Sequence, residues 1–305
     1  MYSMQSISIP RPDRFIVSKK SDDLERAISK IAKRGTYLPN SIPMWMEDIG
    51  IKTGSLITKS ERIGSKNAKN KTDILIEFEG CSPLKISAKL NNGEYFGNWY
   101  AHRRIITEFD RKLFDKLTSK TTMWANNWSK KRNASLFVGV SVSFGGRTGD
   151  TYIDFLDVFE NTEDVKKIIC GVGDKENAAN CLYISDDHPT SIKDLIEKIS
   201  PIDFQKLEEL TEKIKVIFRP INPLTEGSNR GKNVYTKFLP DNKLQEIEHI
   251  KDIQQLAKLG RFTEVFPNGI THNDIIDTLQ SDFNILVSRK TDSKRNWKFY
   301  SENET

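Results

Sequence analysis

Asp73-Ile74-Leu75-Ile76-Glu77-Phe78-Glu79 and Leu84-Lys85-Ile86-Ser87-Ala88-Lys89-Leu90, joined by Gly80-Cys81-Ser82-Pro83, are the segments on which the reading of this 305-residue chain turns. Ile74, Ile76 and Phe78 recur at every second position, as do Leu84, Ile86, Ala88 and Leu90. That period is the mark of half-buried strands, and the Gly/Pro turn between them predicts a hairpin. Side chains alternate across a pleated strand, so Lys85, Ser87 and Lys89 share the face opposite Ile86 and Ala88. Pairing across residues 80–83 brings that polar face toward Asp73. A carboxylate beside an ammonium suits metal-assisted phosphodiester hydrolysis. The carboxylate holds Mg²⁺, the metal polarises phosphate and acidifies water, and the lysine orients that water.

Outward from the hairpin, residues 59–72 are polar and read as a loop. Upstream, Ser21 or Asp22 is placed to cap a helix through Leu24, Ala27, Ile28 and Ile31 to Gly35. Downstream, the stripe His102, Ile105, Ile106, Phe109, Leu113 and Leu117 predicts one long helix over about 98–120. Strands are expected at 135–144, 151–159, 215–221 and 233–239. Helices are expected at 192–199, 204–214 and 242–259, the last closed by Gly260. Residues 285–289 and 297–300 read as a final hairpin. The pattern is α/β, with a mixed β-sheet flanked by helices in residues 1–165 and an α+β region in 166–305. No Pro/Gly linker marks the boundary.

A hydrophobic fraction of 37% and a charged fraction of 29% are those of a globular chain. No apolar run reaches the roughly 18–20 residues of a membrane helix. The N-terminus is polar and Ser-rich rather than signal-like, which predicts a cytoplasmic protein without a membrane partner. The three cysteines form no Cys-x-x-Cys pair and the four histidines are scattered, which argues against a zinc site or a disulfide framework. Charge is uneven. Residues 51–150 hold 18 Lys and Arg against 9 Asp and Glu, whereas residues 151–305 hold 21 against 27. A localised cationic surface suits a polyanion such as nucleic acid, although a solvated basic face has the same composition.

Lys71-Thr72-Asp73-Ile74-Leu75-Ile76 followed by Leu84-Lys85-Ile86-Ser87-Ala88-Lys89-Leu90 resembles the PD-(D/E)xK nuclease motif, in the form found in type II restriction endonucleases. The resemblance covers residues 59–91. It implies a restriction-endonuclease-like core, Mg²⁺-dependent cleavage of double-stranded DNA, a homodimer and a companion DNA methyltransferase in a bacterial or archaeal cell. Carried over by position, Asp73 is the metal-binding carboxylate, Lys89 the catalytic lysine, and Ala88 a further metal position. Thr72 stands in place of the motif proline. Ser87 stands where Asp or Glu is expected, which removes one carboxylate. Some Ser-x-Lys relatives recruit a glutamate from elsewhere. Glu61 is the first choice here, followed by Glu94 and Glu108, with Glu25 on the first helix also open. Glu77 lies about 13 Å from Asp73 along an extended strand, too far to share an ion.

Lys66, Asn67, Lys69 and Lys71, ahead of the motif, and Arg103 after it are candidate DNA contacts. Arg230, Lys232 and Asn233 form a second basic stretch, which reads equally as an ordinary polar loop. Gly171-Val172-Gly173 lacks the third glycine of a dinucleotide loop and reads as a turn. No P-loop is present. His272-Asn273-Asp274 reads as a helix start capped by Asn273 rather than as an HNH site. The expectation is a sequence-specific double-strand endonuclease. The alternatives are a DNA-binding protein on a degenerate nuclease fold and a structure-specific repair or recombination nuclease.

Overall fold

The hairpin forms as the alternation requires. Strand β2 (Ile74–Phe78) pairs antiparallel with β3 (Leu84–Lys89), Ile74 facing Ile86 and Ile76 facing Leu84. The computed structural model describes residues 14–63, 71–91, 100–146, 149–171, 178–226 and 233–290. The chain is of the α/β class and folds into two compact units, each made of two separate pieces. Unit 1 holds residues 1–94 and 165–210, and unit 2 holds 95–164 and 211–305. One crossing between the units falls at 164/165. The crossings at 94/95 and 210/211 have no counterpart in composition.

In unit 1 the hairpin is the centre of a five-stranded mixed sheet. β1 (Ile57–Arg62) pairs antiparallel with β2, and β6 (Cys181–Ile184) runs parallel to β3. β7 (Ile199–Pro201) closes the far edge antiparallel to β6. Ile74, Ile76, Leu84, Ile86 and Ala88 pack with Leu24 and Ile28 of α1 (Arg14–Ile31), with Ala32 just after it, and with Leu195 and Ile196 of α6 (Ile192–Lys198). The short α2 (Met44–Asp48) adds Met46 to this core. On the other face, Ser87 reaches the Ile169 carbonyl of α5 (Thr162–Cys170) at 3.5 Å. α5 ends at Gly171, whose φ of 91° is the left-handed turn that glycine permits.

Unit 2 is built on an antiparallel sheet in the order β11-β9-β4-β8-β5. Its strands are β4 (Gly139–Gly145), β5 (Tyr152–Asp154), β8 (Lys215–Pro220), β9 (Thr236–Pro240) and β11 (Gly260–Glu264). α3 (His102–Glu108) and α4 (Arg111–Trp128) supply the buried Ile105, Phe114 and Leu117. Asn126 of α4 acts as an extra rung on the edge strand, its amide exchanging bonds of 2.9 Å with the backbone N–H and carbonyl of Phe262. α9 (His272–Phe283) leads into β12 (Ile285–Val287), which pairs parallel with β10 (Glu248–Ile250). α8 (Ile253–Ala257) starts after Asp252, whose carboxylate caps it. α7 (Phe204–Lys213) carries the chain back into unit 2.

At Gly260 a Cβ would sit 2.2 Å from the Leu239 carbonyl oxygen, so β9 and β11 approach where no side chain fits. Gly260→Ala is expected to cost roughly 1–3 kcal/mol, the usual range for overpacking, measured by chemical denaturation.

Several expectations are corrected. α1 begins at Arg14, so Ser21 and Asp22 lie inside the helix rather than capping it. Residues 57–62 form an edge strand where a loop was expected. The strand is polar because most of its side chains are at least partly exposed. The single helix expected over 98–120 is broken after Glu108, and Asp110 caps α4 by accepting the Leu113 N–H at 2.6 Å. No helix spans 242–259, since Ile250 is drawn into pairing with Val287. The cap of α9 is Thr271, in a capping box with Asp274, rather than Asn273. Residues 285–287 pair with β10, and residues 297–300 lie outside the described residues. Among the described residues, no helix is long and apolar enough to cross a membrane.

Candidate active site

Asp73 sits one residue ahead of β2 and is tied on both sides by backbone bonds. Its N–H donates to the Ile86 carbonyl at 2.9 Å, and its carbonyl accepts the Ile63 N–H at 3.0 Å. The side chain is thereby aimed along the edge of β3. Three donors converge on its Oδ2. The Lys89 ammonium donates at 2.8 Å, the Ala88 N–H at 2.8 Å and the Ser87 hydroxyl at 3.4 Å. None of these three bonds uses Oδ1. The Asp73 and Lys89 side chains are 25% and 19% exposed, open enough for a substrate yet poorly screened.

The geometry follows from strand alternation. The carbonyls of Lys85 and Lys89 bond toward β6, to Asn180 and Ser185, whereas the Ile86 carbonyl and Ala88 N–H face Asp73. A residue's N–H and C=O point to the same side of its strand, so the Ala88 carbonyl opens on the Asp73 side as well. Ser87 is fully buried and uncharged, so it adds no anionic oxygen.

Glu25 enters from α1. Its carboxylate accepts from the Arg62 guanidinium at 2.8 Å and is 17% exposed. Its carboxyl is pushed above the usual value, chiefly by burial, opposed by the Arg62 bond; the Asp73 charge raises it further, and Lys89 pulls it down. Glu25 is thus within electrostatic reach of both motif residues. The same guanidinium also donates to Asp22.

The other expected site residues are distributed as follows. Glu61 faces Leu75, and its carboxylate pairs with Lys59 at 2.7 Å. Glu108 belongs to unit 2 and pairs with Arg104 at 2.6 Å. Lys71 is half-buried next to the motif, and Arg103 is exposed on α3 of unit 2. The Asn233 amide accepts from the His102 N–H at 3.2 Å and donates to the Gly269 carbonyl at 2.9 Å, so it serves the fold of unit 2. Lys66, Asn67, Lys69, Glu94, Arg230 and Lys232 lie outside the described residues. Among the described residues, no three His, Cys, Asp or Glu side chains form a metal-binding group.

Arg62 has no place in the sequence reading, and Asp22 enters it only as a helix cap. The available signal was the i, i+3 spacing of Asp22 and Glu25, which puts two acids on one helix face. Comparison with known proteins returns no family model, no curated protein and no solved structure that matches this chain.

Proposed function

We propose that unit 1 is a Mg²⁺-dependent endonuclease acting on double-stranded DNA, a Ser-x-Lys variant of the PD-(D/E)xK nucleases and a restriction enzyme in type. The observation that carries the reading is the convergence of Lys89 Nζ and Ala88 N–H, each at 2.8 Å, on one oxygen of Asp73 across paired strands. The mixed sheet flanked by helices is the setting that the resemblance implies. The donors on offer are the Asp73 carboxylate, the Ala88 carbonyl and a glutamate. They are all oxygen, as Mg²⁺ requires. Glu25 suits the third place better than Glu61, because it is 17% exposed and within electrostatic reach of Asp73 and Lys89, whereas Glu61 is 50% exposed on the edge strand.

When bound, the metal would polarise the phosphate and acidify a water. The chain's own groups supply the rest. The Ala88 N–H restrains the rotation of Asp73. Asp73 holds the Lys89 ammonium at the strand edge, where its three donors can position a water or a phosphate oxygen. The Ser87 hydroxyl, within 3.4 Å of Asp73 and 3.5 Å of the Ile169 carbonyl, shares its one proton between them and carries no charge. A homodimer would match a palindromic target.

The test is incubation of purified protein with plasmid and phage DNA, with and without Mg²⁺. Discrete fragments that appear only with Mg²⁺ support the restriction reading. Salt-sensitive binding without cutting would instead support a DNA-binding protein on a nuclease-like fold. Selective cutting of branched substrates would point to a repair or recombination nuclease. In the same assay Glu25→Gln is expected to slow cleavage about 10–100-fold and by more than Glu61→Gln does. The reverse order would place Glu61 at the metal.

A further inference from the structure

Arg62 holds Glu25, the carboxylate assigned above to the third metal position. Its guanidinium bridges Glu25 and Asp22 of α1, while its backbone lies on β1 opposite Ile74, the residue after Asp73. Its Nε is buried without a hydrogen-bond partner. A side chain built only to staple a helix to a strand would satisfy that donor, since an unmet buried N–H is costly. The charges are arranged in two cation–carboxylate pairs, Lys89 with Asp73 and Arg62 with Glu25. Each carboxylate of the candidate centre is therefore already neutralised by a residue of this chain.

We infer that Arg62 is a built-in competitor for the divalent ion, occupying Glu25 in the metal-free protein and yielding it when the ion enters beside Asp73. The inference rests on the metal-site reading above. Arg62 is a positioning residue here, because it acts through Glu25. Asp22 gives the displaced guanidinium a place to remain, so the exchange needs no large movement of α1. That second anchor distinguishes Arg62 from Lys89, for which the structure describes a single carboxylate partner.

The test is Mn²⁺ binding to the full chain without DNA, followed by titration calorimetry and by the paramagnetic signal of free Mn²⁺. Arg62→Gln removes the competing charge and leaves the Glu25 and Asp73 carboxylates in place. Its Mn²⁺ affinity is expected to rise about tenfold, the scale of one charge-assisted bond that no longer has to be broken. Arg62→Lys keeps the charge but cannot fork across two carboxylates, and it should fall between the two. It is also the variant to use if Arg62→Gln fails to fold. Thermal unfolding gives a second readout, since Mn²⁺ should stabilise Arg62→Gln at lower concentration than wild type. Unchanged or weaker binding in both Arg62 variants, with binding still lost in Asp73→Asn, would make Arg62 a staple and overturn the inference alone. Binding that is absent in wild type, or indifferent to Asp73→Asn, would remove the metal site and the inference with it.

Discussion

Asp73→Asn is expected to lower Mg²⁺-dependent cleavage of plasmid DNA by about 10³-fold, corresponding to several kcal/mol of lost charge stabilisation. The amide keeps the shape of the side chain and can still accept from Ala88, so the strands should stay paired. What disappears is the anionic oxygen that a hard cation requires and that fixes the Lys89 ammonium. Lys89→Met should cost about 10²–10⁴-fold, the range for a group that orients or moves a proton. The double variant should be little worse than the worse single one, because residues that act as a unit lose their function together. Both are measured as initial rates of supercoiled plasmid loss, with circular dichroism melts to show that the proteins are folded. The partly exposed Asp73–Lys89 pair should contribute no more than about 1 kcal/mol to stability. An Asp73→Asn protein that cuts as fast as wild type would end the nuclease proposal at this site.

The second large effect is on stability against acid. His102 is 1% exposed, packed edge-on between Phe114 and Tyr235 with ring centroids at 4.9 and 5.0 Å. Its Nδ1 accepts the Gly269 N–H at 3.1 Å, which leaves the proton on Nε2 to donate to the Val234 carbonyl at 2.8 Å. Both nitrogens are engaged by a neutral ring. Burial lowers its pKa to about 4, against 6.5 for an ordinary histidine, although the Val234 bond opposes the shift. Between those values the unfolded chain binds the proton and the folded one does not. Stability is therefore complete above pH 6.5 and declines as the pH falls toward 4, by an amount on the order of 3 kcal/mol. Below 4 the contribution of this residue is flat. His102→Gln can keep both hydrogen bonds without titrating. The difference in unfolding free energy between wild type and variant, followed by denaturant titration from pH 7 to 4, isolates the effect. Parallel curves across that window would contradict the assignment.

The two halves of the candidate site differ in how visible they were. Asp73 and Lys89 meet through a hairpin whose register follows from local alternation and a four-residue turn, so their juxtaposition could be read from 18 consecutive positions. The secondary structure behaved in the same way. Where a segment's apolar period reports its own exposure, as in β2, β3 and α6, the reading held. It failed at β1, an edge strand whose mostly exposed side chains leave no period to read. It failed again at 242–259, where Leu244, Ile247, Ile250, Ile253 and Leu256 repeat every three residues like a helix. There Ile250 pairs with Val287, a partner 37 positions away, and Asp252 starts a shorter helix instead. At 109–110 the apolar stripe continues through a real break, because Asp110 caps a new helix without interrupting the periodicity.

Short-range pattern was therefore enough for the hairpin, the carboxylate–lysine pair and the α/β character of the chain, since each depends on neighbours a few residues apart. Packing settled the rest. The docking of α1 on the sheet brings Glu25 within electrostatic reach of Asp73, and Arg62 binds it across 37 positions of sequence. The assembly of each unit from two separated pieces arises in the same way. Contacts of this kind are made when distant surfaces bury one another, and the residues that will meet carry no local mark of their partners.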